Sequence, residues 1–337
     1  MTHGRAAVWL KRIGGIFAAI VLVIGTYAAL NWSSLNAKYA AHQFRIASTT
    51  EERTAAAVKL AGYGELGCPH LIEPFRTDDA TNCAVVADLF AAMSPSDPPF
   101  AILARSFLTA IPTFSPVGAE AALPVIPQLL QCPEADSATA CRELVRIGLK
   151  SPSAEGRVRA VRLAMRPEFA LRTETVPLLD DTSAEVRRAA MLAIGPMNAN
   201  VPVIEDEVLF KWLHDADLEV RDLCASALAT RGLDEAQVAL ARKLSSPSPS
   251  DRLSLLMDLR FSRDVIADPG PWLERLSRDA DPAVRAGTTR VAFECRLHFA
   301  GWADRLADAD PDATVRRLAG YYRGMAGSVR QTGFRDE

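Results

Sequence analysis

The sequence predicts an all-α protein, an α-solenoid of stacked helix pairs preceded by one transmembrane helix. Three observations predict this class. Alanine is abundant and aromatic residues make up only 7% of the 337 residues, a composition that favours helices. A long apolar segment begins at Ile13, and one short motif recurs along the C-terminal half of the chain. A chain of this length can bury a large core.

The N-terminal segment is typical of a membrane-spanning helix. Residues 13–30 are uncharged and mostly apolar, and at about 1.5 Å rise per residue they nearly span a hydrocarbon core of about 30 Å. Cations precede the segment and aromatic residues lie at its far end: Arg5, Lys11, Arg12, Tyr27 and Trp32. This arrangement predicts that residues 1–12 are cytoplasmic, that residues 13–32 anchor the chain in the lipid bilayer, and that the bulk is periplasmic. The expected location is a bacterial inner membrane.

A cleaved signal peptide is the alternative interpretation of the same segment, and it would leave a secreted protein. The apolar segment is long for a signal peptide, and Leu35 stands in the nearby "SLNA" where a cleavage site wants a small residue. These two features favour the uncleaved anchor.

A motif repeats in the C-terminal half. Four copies carry a Val-Arg pair, an aspartate five residues before the valine and a helix-capping residue three before it. The copies lie at residues 179–194, 213–228, 277–292 and 307–322. The turn aspartates are Asp181, Asp215, Asp279 and Asp310. A fifth copy near Arg252 has lost its valine but keeps its cap, so the period is 31 to 34 residues. Such a period indicates stacked helix pairs.

Each copy predicts a turn followed by a helix. Ser183 and Asp217 are good N-caps because their side chains accept from the free N–H groups of the first turn. Apolar or small residues then recur at helical spacing, as at Val220, Cys224 and Leu228. A shorter apolar helix, often opened by proline, precedes each cap. The unit is therefore a helix, a tight aspartate-rich turn and a second helix.

The motif "D-x-D-x-x-V-R-x-x-A" resembles the HEAT-repeat family, in particular the short HEAT-like repeats of phycobilisome lyases, over residues 167–325. The resemblance implies an α-solenoid with a concave interaction surface lined by the second helices. It also implies a structural ladder in which the turn aspartates meet the arginines that follow the valines. The residues in that arginine position are Arg187, Arg221, Arg252, Arg285 and Arg316.

Residues 33–166 contain helices that we interpret as diverged repeats, and residues 326–337 form a tail. Cysteines stand at facing ends of two predicted helix pairs, Cys68 with Cys83 and Cys132 with Cys141. Facing ends of a helical hairpin come close enough for disulfides, and an oxidising periplasm would favour them. The alternative is four buried reduced thiols. Two further cysteines, at positions 224 and 295, are expected to be free.

The sequence contains no catalytic constellation. His214 beside Asp215 occupies a variable turn position, and the acidic pairs recur with the repeat period, whereas a catalytic pair would occur once. Cys68-Pro-His70 is the one close Cys/His pair, without a second pair at zinc-finger spacing. We therefore expect no enzyme activity, no metal, no cofactor and no small-molecule substrate. A formal net charge of -3 argues against a nucleic-acid partner.

The expected function is that of a membrane-anchored, non-catalytic interaction or scaffolding module with protein partners. Outward positions of the second helices mix charge signs, which suits a protein partner. These positions are Arg188, Asp222, Arg290, Arg317 and Tyr321. Two alternatives remain open: an accessory subunit of a membrane protein complex, and a lyase or chaperone-like enzyme of the HEAT-like lyase type.

Overall fold

The computed structural model describes residues 31–132, 136–195, 203–261, 268–295 and 301–332, with side chains as far as residue 325. Within these ranges the chain is helical and contains no strand. This agrees with the all-α part of the prediction. The chain divides into two compact units, Met1–Glu174 and Thr175–Glu337.

Helices of the first unit are short and closely connected. They are α1 (Trp32–Ile46), α2 (Thr50–Gly62), α3 (Cys68–Ile72), α4 (Ala80–Ala92), α5 (Pro98–Ala110), α6 (Pro116–Ala122), α7 (Ile126–Leu129), α8 (Ser137–Gly148) and α9 (Ala154–Ala164). Single 3-10 turns join several of them. Helix α2 begins at a capping box in which Thr49 and Glu52 satisfy each other's backbone N–H groups. Proline opens α5 and α6, where its missing N–H is tolerated.

The core of the first unit is built around phenylalanines. Phe75, Phe90 and Phe107 are fully buried, and ring centroids of Phe75 and Phe107 lie 4.9 Å apart in an edge-to-face arrangement. Phe100 and Phe114 join the same cluster. Aromatic pairs of this geometry add to the stabilisation that comes from their buried area.

The second unit alternates short first helices with longer second helices. Its helices are α10 (Ala184–Ile194), α11 (Asp206–Leu209), α12 (Leu218–Thr230), α13 (Glu235–Leu244), α14 (Pro249–Phe261), α15 (Gly270–Leu276), α16 (Pro282–Glu294), α17 (Trp302–Ala309) and α18 (Ala313–Thr332). Helices α10, α12, α14, α16 and α18 begin at the motif turns. The motif valines of four of them, Val186, Val220, Val284 and Val315, are buried.

The first helices are less regular than the sequence predicts. Arg172–Asp180, which contains Pro177, is a 3-10 segment, and so is Phe210–His214 after the single turn of α11. A 3-10 helix tightens short connections. Trp212 anchors the second of these segments, since its indole Nε1 donates to the carbonyl oxygen of Leu179 at 2.9 Å.

The predicted membrane anchor is not supported. No helix in the described ranges is both long and apolar enough to cross a bilayer. Residues 13–30 of the predicted span 13–32 lie outside those ranges, as do residues 1–12. The fold class is therefore corrected to all-α without a membrane-spanning helix among the described residues. The same finding contradicts the prediction of a single-pass inner-membrane protein.

Candidate functional site

Arginines of the motif bind the turn aspartate of the following unit. Arg187 donates from Nε and Nη2 to both carboxylate oxygens of Asp215, at 2.8 and 2.7 Å. Arg252 forms the same bidentate pair of hydrogen bonds with Asp279, at 2.6 and 3.1 Å. Arg285 binds Asp310 at 2.8 and 2.9 Å. The structure thus brings together three of the predicted arginine–aspartate pairs. Paired N–H···O bonds of this kind are strong and directional.

Each of these arginines also holds its own turn. Arg187 Nη1 donates to the carbonyl oxygen of Asp181 at 2.8 Å, and Arg285 Nη1 donates to that of Asp279 at 2.8 Å. The turn aspartates accept a backbone N–H as well, as from Asp312 to Asp310 at 2.9 Å. One guanidinium therefore fixes two successive turns, and the repeated contacts fix the spacing of the units.

The ion pairs shift the acidity of the aspartates. The hydrogen bond from Arg285 lowers the pKa of Asp310 below its usual value. The pKa of Asp217, the N-cap of α12, falls to about 2, mainly because of its hydrogen bond from Arg188. Both carboxylates are accordingly charged at neutral pH. They are unsuited to general acid catalysis, which needs a pKa near the working pH.

Two predicted arginines take no such carboxylate among the described residues. Arg221 precedes the unit in which Ser246 replaces the turn aspartate, and a serine hydroxyl cannot accept a bidentate pair of bonds from a guanidinium. Its helix α12 packs against α10, whereas α14 packs mainly against α13 and α16. Arg316, in the last described unit, donates to the carbonyl oxygens of Asp310 and Pro311 only.

Arg157 is a position that the sequence reasoning missed. It follows the α9 cap Ser153 by four residues, as the motif arginines follow their caps. Its Nη1 donates to the carbonyl oxygens of Ser151 and Pro152, at 2.8 and 3.1 Å, as Arg187 does to its own turn. The signal was present in "SPSAEGRV", where Gly156 stands in the valine position.

The predicted partner residues divide into paired and unpaired positions. Arg188 binds Asp217 through two hydrogen bonds, at 3.0 and 2.6 Å. Arg290 binds Glu294 one turn further along α16, at 3.0 Å. The remaining predicted residues are exposed: Asp222, Arg317 and Tyr321. Arg188 therefore holds neighbouring units together.

Helices α14, α16 and α18 present a common exposed surface, which we call the three-helix face. Helix α16 packs against both of the others. The face comprises Leu253, Met257, Phe261, Arg290, Glu294, Arg317, Leu318, Tyr321 and Met325. Phe261, Tyr321 and Met257 are 70%, 60% and 50% exposed. Sequence reasoning missed the α14 residues because that unit lacks the motif valine, although their four-residue spacing places them on one side of a helix.

An ion-pair network crosses the three-helix face. Glu294 accepts from Arg290 at 3.0 Å and lies 2.8 Å from Nε of Arg260 on α14. The guanidinium of Arg260 also lies over the ring of Phe261, 5.0 Å from its centroid. Because two arginines share one carboxylate, the network leaves an excess of positive charge on the face.

The predicted disulfides are absent. None of the six cysteines forms a disulfide, and all six lie within the described residues: Cys68, Cys83, Cys132, Cys141, Cys224 and Cys295. Burial raises the pKa of Cys83, Cys141 and Cys224 to about 12, so these thiols are protonated and unreactive at neutral pH. The disulfide prediction depended on an oxidising compartment. Five of the six cysteines are instead buried thiols, which behave as small apolar residues.

A cleft of about 340 Å³ lies beside the first helices of the second unit, lined by Phe210, Trp272, Arg231, Arg275 and their neighbours. Its one buried cation is Arg231, which donates to the carbonyl oxygens of Ile194, Gly195 and Ile204 and to the Asp206 carboxylate. These bonds close the end of α10. Arg231 is therefore occupied by a structural role.

No group of three or more histidine, cysteine or acidic side chains within the described part of the chain is placed to hold a metal ion. Comparison with protein-family models gave no match, and comparison with curated proteins gave none either.

Proposed function

We propose that the chain is a non-catalytic protein-interaction or scaffolding module, and that its second unit is an α-solenoid of HEAT-like repeats. The three-helix face carries the proposal. Leucine, methionine and phenylalanine lie exposed on α14, tyrosine and methionine lie exposed on α18, and both helices pack against α16. Contiguous exposed apolar residues mark interaction sites on soluble proteins, and methionine, aromatic residues and arginine are enriched at interfaces.

The arginine–aspartate ladder supports the same proposal. The pairs Arg252–Asp279 and Arg285–Asp310 fix α14 and α16 to the turns that follow them. A surface held in this way loses little conformational freedom when a partner binds. The entropic cost of ordering the surface therefore offsets little of the binding free energy. The repeat motif and its period, which resemble those of HEAT proteins, add that such arrays commonly bind other proteins along their second helices.

Affinity purification of the full chain from its native cells tests the proposal. Wild type is compared with the double variant M257S/F261S and with a matched control, V58S/M165S, which replaces two exposed apolar residues of the first unit. We expect wild type and the control to retain the same stoichiometric protein, and M257S/F261S to lose it. Recovery of identical proteins by all three, or of no specific protein by any, contradicts the proposal.

A further inference from the structure

We infer that the occupant of the three-helix face is an amphipathic α-helix of a partner protein whose apolar stripe is flanked by acidic side chains. The inference rests on the proposed function and deepens it, since it names the chemistry of the partner. Three properties of the face point to this occupant: the spacing of its apolar residues, the distance between its two apolar rows, and its charge.

The spacing fits a helix. Leu253, Met257 and Phe261 follow one another every four residues, so their side chains form a ridge about 12 Å long on α14. On α18, Leu318, Tyr321 and Met325 form a second exposed row with spacings of three and four. Helical ligands bind grooves through apolar residues repeated at three, four and seven positions, a repeat that matches both rows.

Helix α16 lies between the two rows. Near its N-terminal end it carries the small residues Ala286 and Gly287, and further along it carries Arg290 and Glu294. A Cβ added at Gly287 would lie 2.7 Å from Cδ1 of Leu256, so the glycine also allows α14 and α16 to pack closely. Helices packed side by side stand about 8–10 Å apart. The rows are then about 16–20 Å apart, wide enough for one helix of 10–12 Å diameter.

The charge selects an acidic ligand. Arg260 and Arg290 share Glu294, and Arg317 is exposed without an ion pair among the described residues. Of the other charged groups on these helices, Asp258 binds Lys243 and Arg323 binds Asp308. Asp251 accepts from the Ser246 hydroxyl, and Arg316 donates to backbone carbonyl oxygens. Partner carboxylates beside the apolar stripe would meet the excess arginines, and complementary charge raises both association rate and specificity. A basic helix would be repelled.

Binding of designed peptides to the full chain tests the inference. Three fluorescent helical peptides of about 20 residues share one length and helicity. The first carries leucines along one stripe with glutamates beside it, the second has lysines in place of the glutamates, and the third has glutamines in place of the leucines. Fluorescence anisotropy measures each affinity for wild type, M257S/F261S and the control V58S/M165S. Circular dichroism verifies that the variants are folded, as expected for exposed positions.

We expect the acidic peptide to bind wild type and the control at least about tenfold more tightly than the other two peptides, and M257S/F261S to lose that preference. Equal or tighter binding of the basic peptide overturns the inference, and so does acidic-peptide binding that survives M257S/F261S. Sedimentation analysis adds one more outcome: a dimer of wild type that M257S/F261S abolishes would identify a second copy of the chain as the occupant and also overturn it.

The two proposals can fail separately. If affinity purification recovers a partner through the three-helix face while the peptides show no preference for acidic residues, the interaction module stands and the acidic helix is wrong. If M257S/F261S changes neither the recovered proteins nor the peptide affinities, both proposals are wrong.

Discussion

Arg285 on α16 binds both carboxylate oxygens of Asp310 in the turn before α18, and both side chains are buried. The same guanidinium donates to the carbonyl oxygens of Asp279 and Ala280 in the turn before its own helix. Two turns separated along the chain are therefore held by one side chain. Because the charges are withdrawn from water, removing either partner leaves the other uncompensated.

Replacing Asp310 by alanine should lower the free energy of unfolding by about 3 kcal/mol, because the Arg285 guanidinium would stay buried without its counterion. Urea denaturation followed by circular dichroism measures this. The matched control is D222A, at an exposed carboxylate of α12, with a change within about 0.5 kcal/mol. The double variant R285M/D310L should recover most of the loss, since an apolar pair can replace a buried ion pair. If D310A and D222A lowered the free energy of unfolding equally, the Arg285–Asp310 pair would not stabilise the fold as expected.

Acid should lower the free energy of unfolding by protonating two carboxylates, those of Asp310 and Asp217. The pKa of Asp310 is lowered by its hydrogen bond from Arg285, and that of Asp217 lies at about 2 because of its bond from Arg188. Unfolded aspartates titrate near 3.9. Each lowered pKa therefore contributes stability above about pH 4, and that stability is lost as the pH falls through the lowered pKa, which lies at about 2 for Asp217.

Urea denaturation at a series of pH values from 6 to 2 measures the slope of that loss. The variant D217N keeps a good N-cap but cannot form the charged pair with Arg188, so its stability should depend less steeply on pH than that of wild type. D222N serves as the control and should follow wild type. If D217N retains the full wild-type slope, the pair with Arg188 is not the source of the effect.

The sequence predicted the parts of the ladder that the motif repeats and failed where the repeat is imperfect. Arg187, Arg252 and Arg285 could be found because each follows a helix cap by four residues. Each also precedes a unit that carries the turn aspartate. Arg221 could not be distinguished from them by its own motif, since the outcome depends on Ser246 in the next unit. Arg157 was missed because Gly156 hides the valine position.

The other errors came from physics that local patterns do not contain. Disulfides were predicted from hairpin geometry together with a presumed compartment, and the buried cysteines are packed as small apolar residues instead. The three-helix face depends on which helices pack against α16, and a pattern within one helix cannot show that. Sequence patterns indicated no role for Leu253, Met257 and Phe261, which the fold leaves exposed.

A close contact between helices makes Gly118 irreplaceable. A Cβ added there would lie 2.0 Å from the carbonyl oxygen of Phe75, a backbone atom that cannot move aside easily. We expect G118A to lower the free energy of unfolding by about 3 kcal/mol. The control G62A places its Cβ where nothing lies within 4 Å, and it should change stability by less than about 1 kcal/mol, toward higher stability. Thermal denaturation compares them, and a harmless G118A would show that the helices do not approach this closely.

Thiol labelling tests the corrected cysteine assignment. Cys295 is half-buried, whereas the other five cysteines are buried. In native protein at pH 8, iodoacetamide should modify Cys295 first, since burial raises the pKa of Cys83, Cys141 and Cys224 to about 12. In urea without a reducing agent, mass spectrometry should find all six cysteines alkylated. If only two cysteines were alkylated under those conditions, the other four would form the two predicted disulfides.

Site-specific photo-crosslinking shows directly whether the three-helix face binds a protein. A photoreactive phenylalanine analogue replaces Met257 in the full chain, and a second chain carries it at the exposed Met165 as a control. After irradiation of intact native cells, we expect one discrete protein adduct at position 257, none at position 165, and loss of the adduct when Phe261 is also changed to serine. No adduct at position 257, or the same adducts at both positions, would show that the three-helix face does not bind a protein.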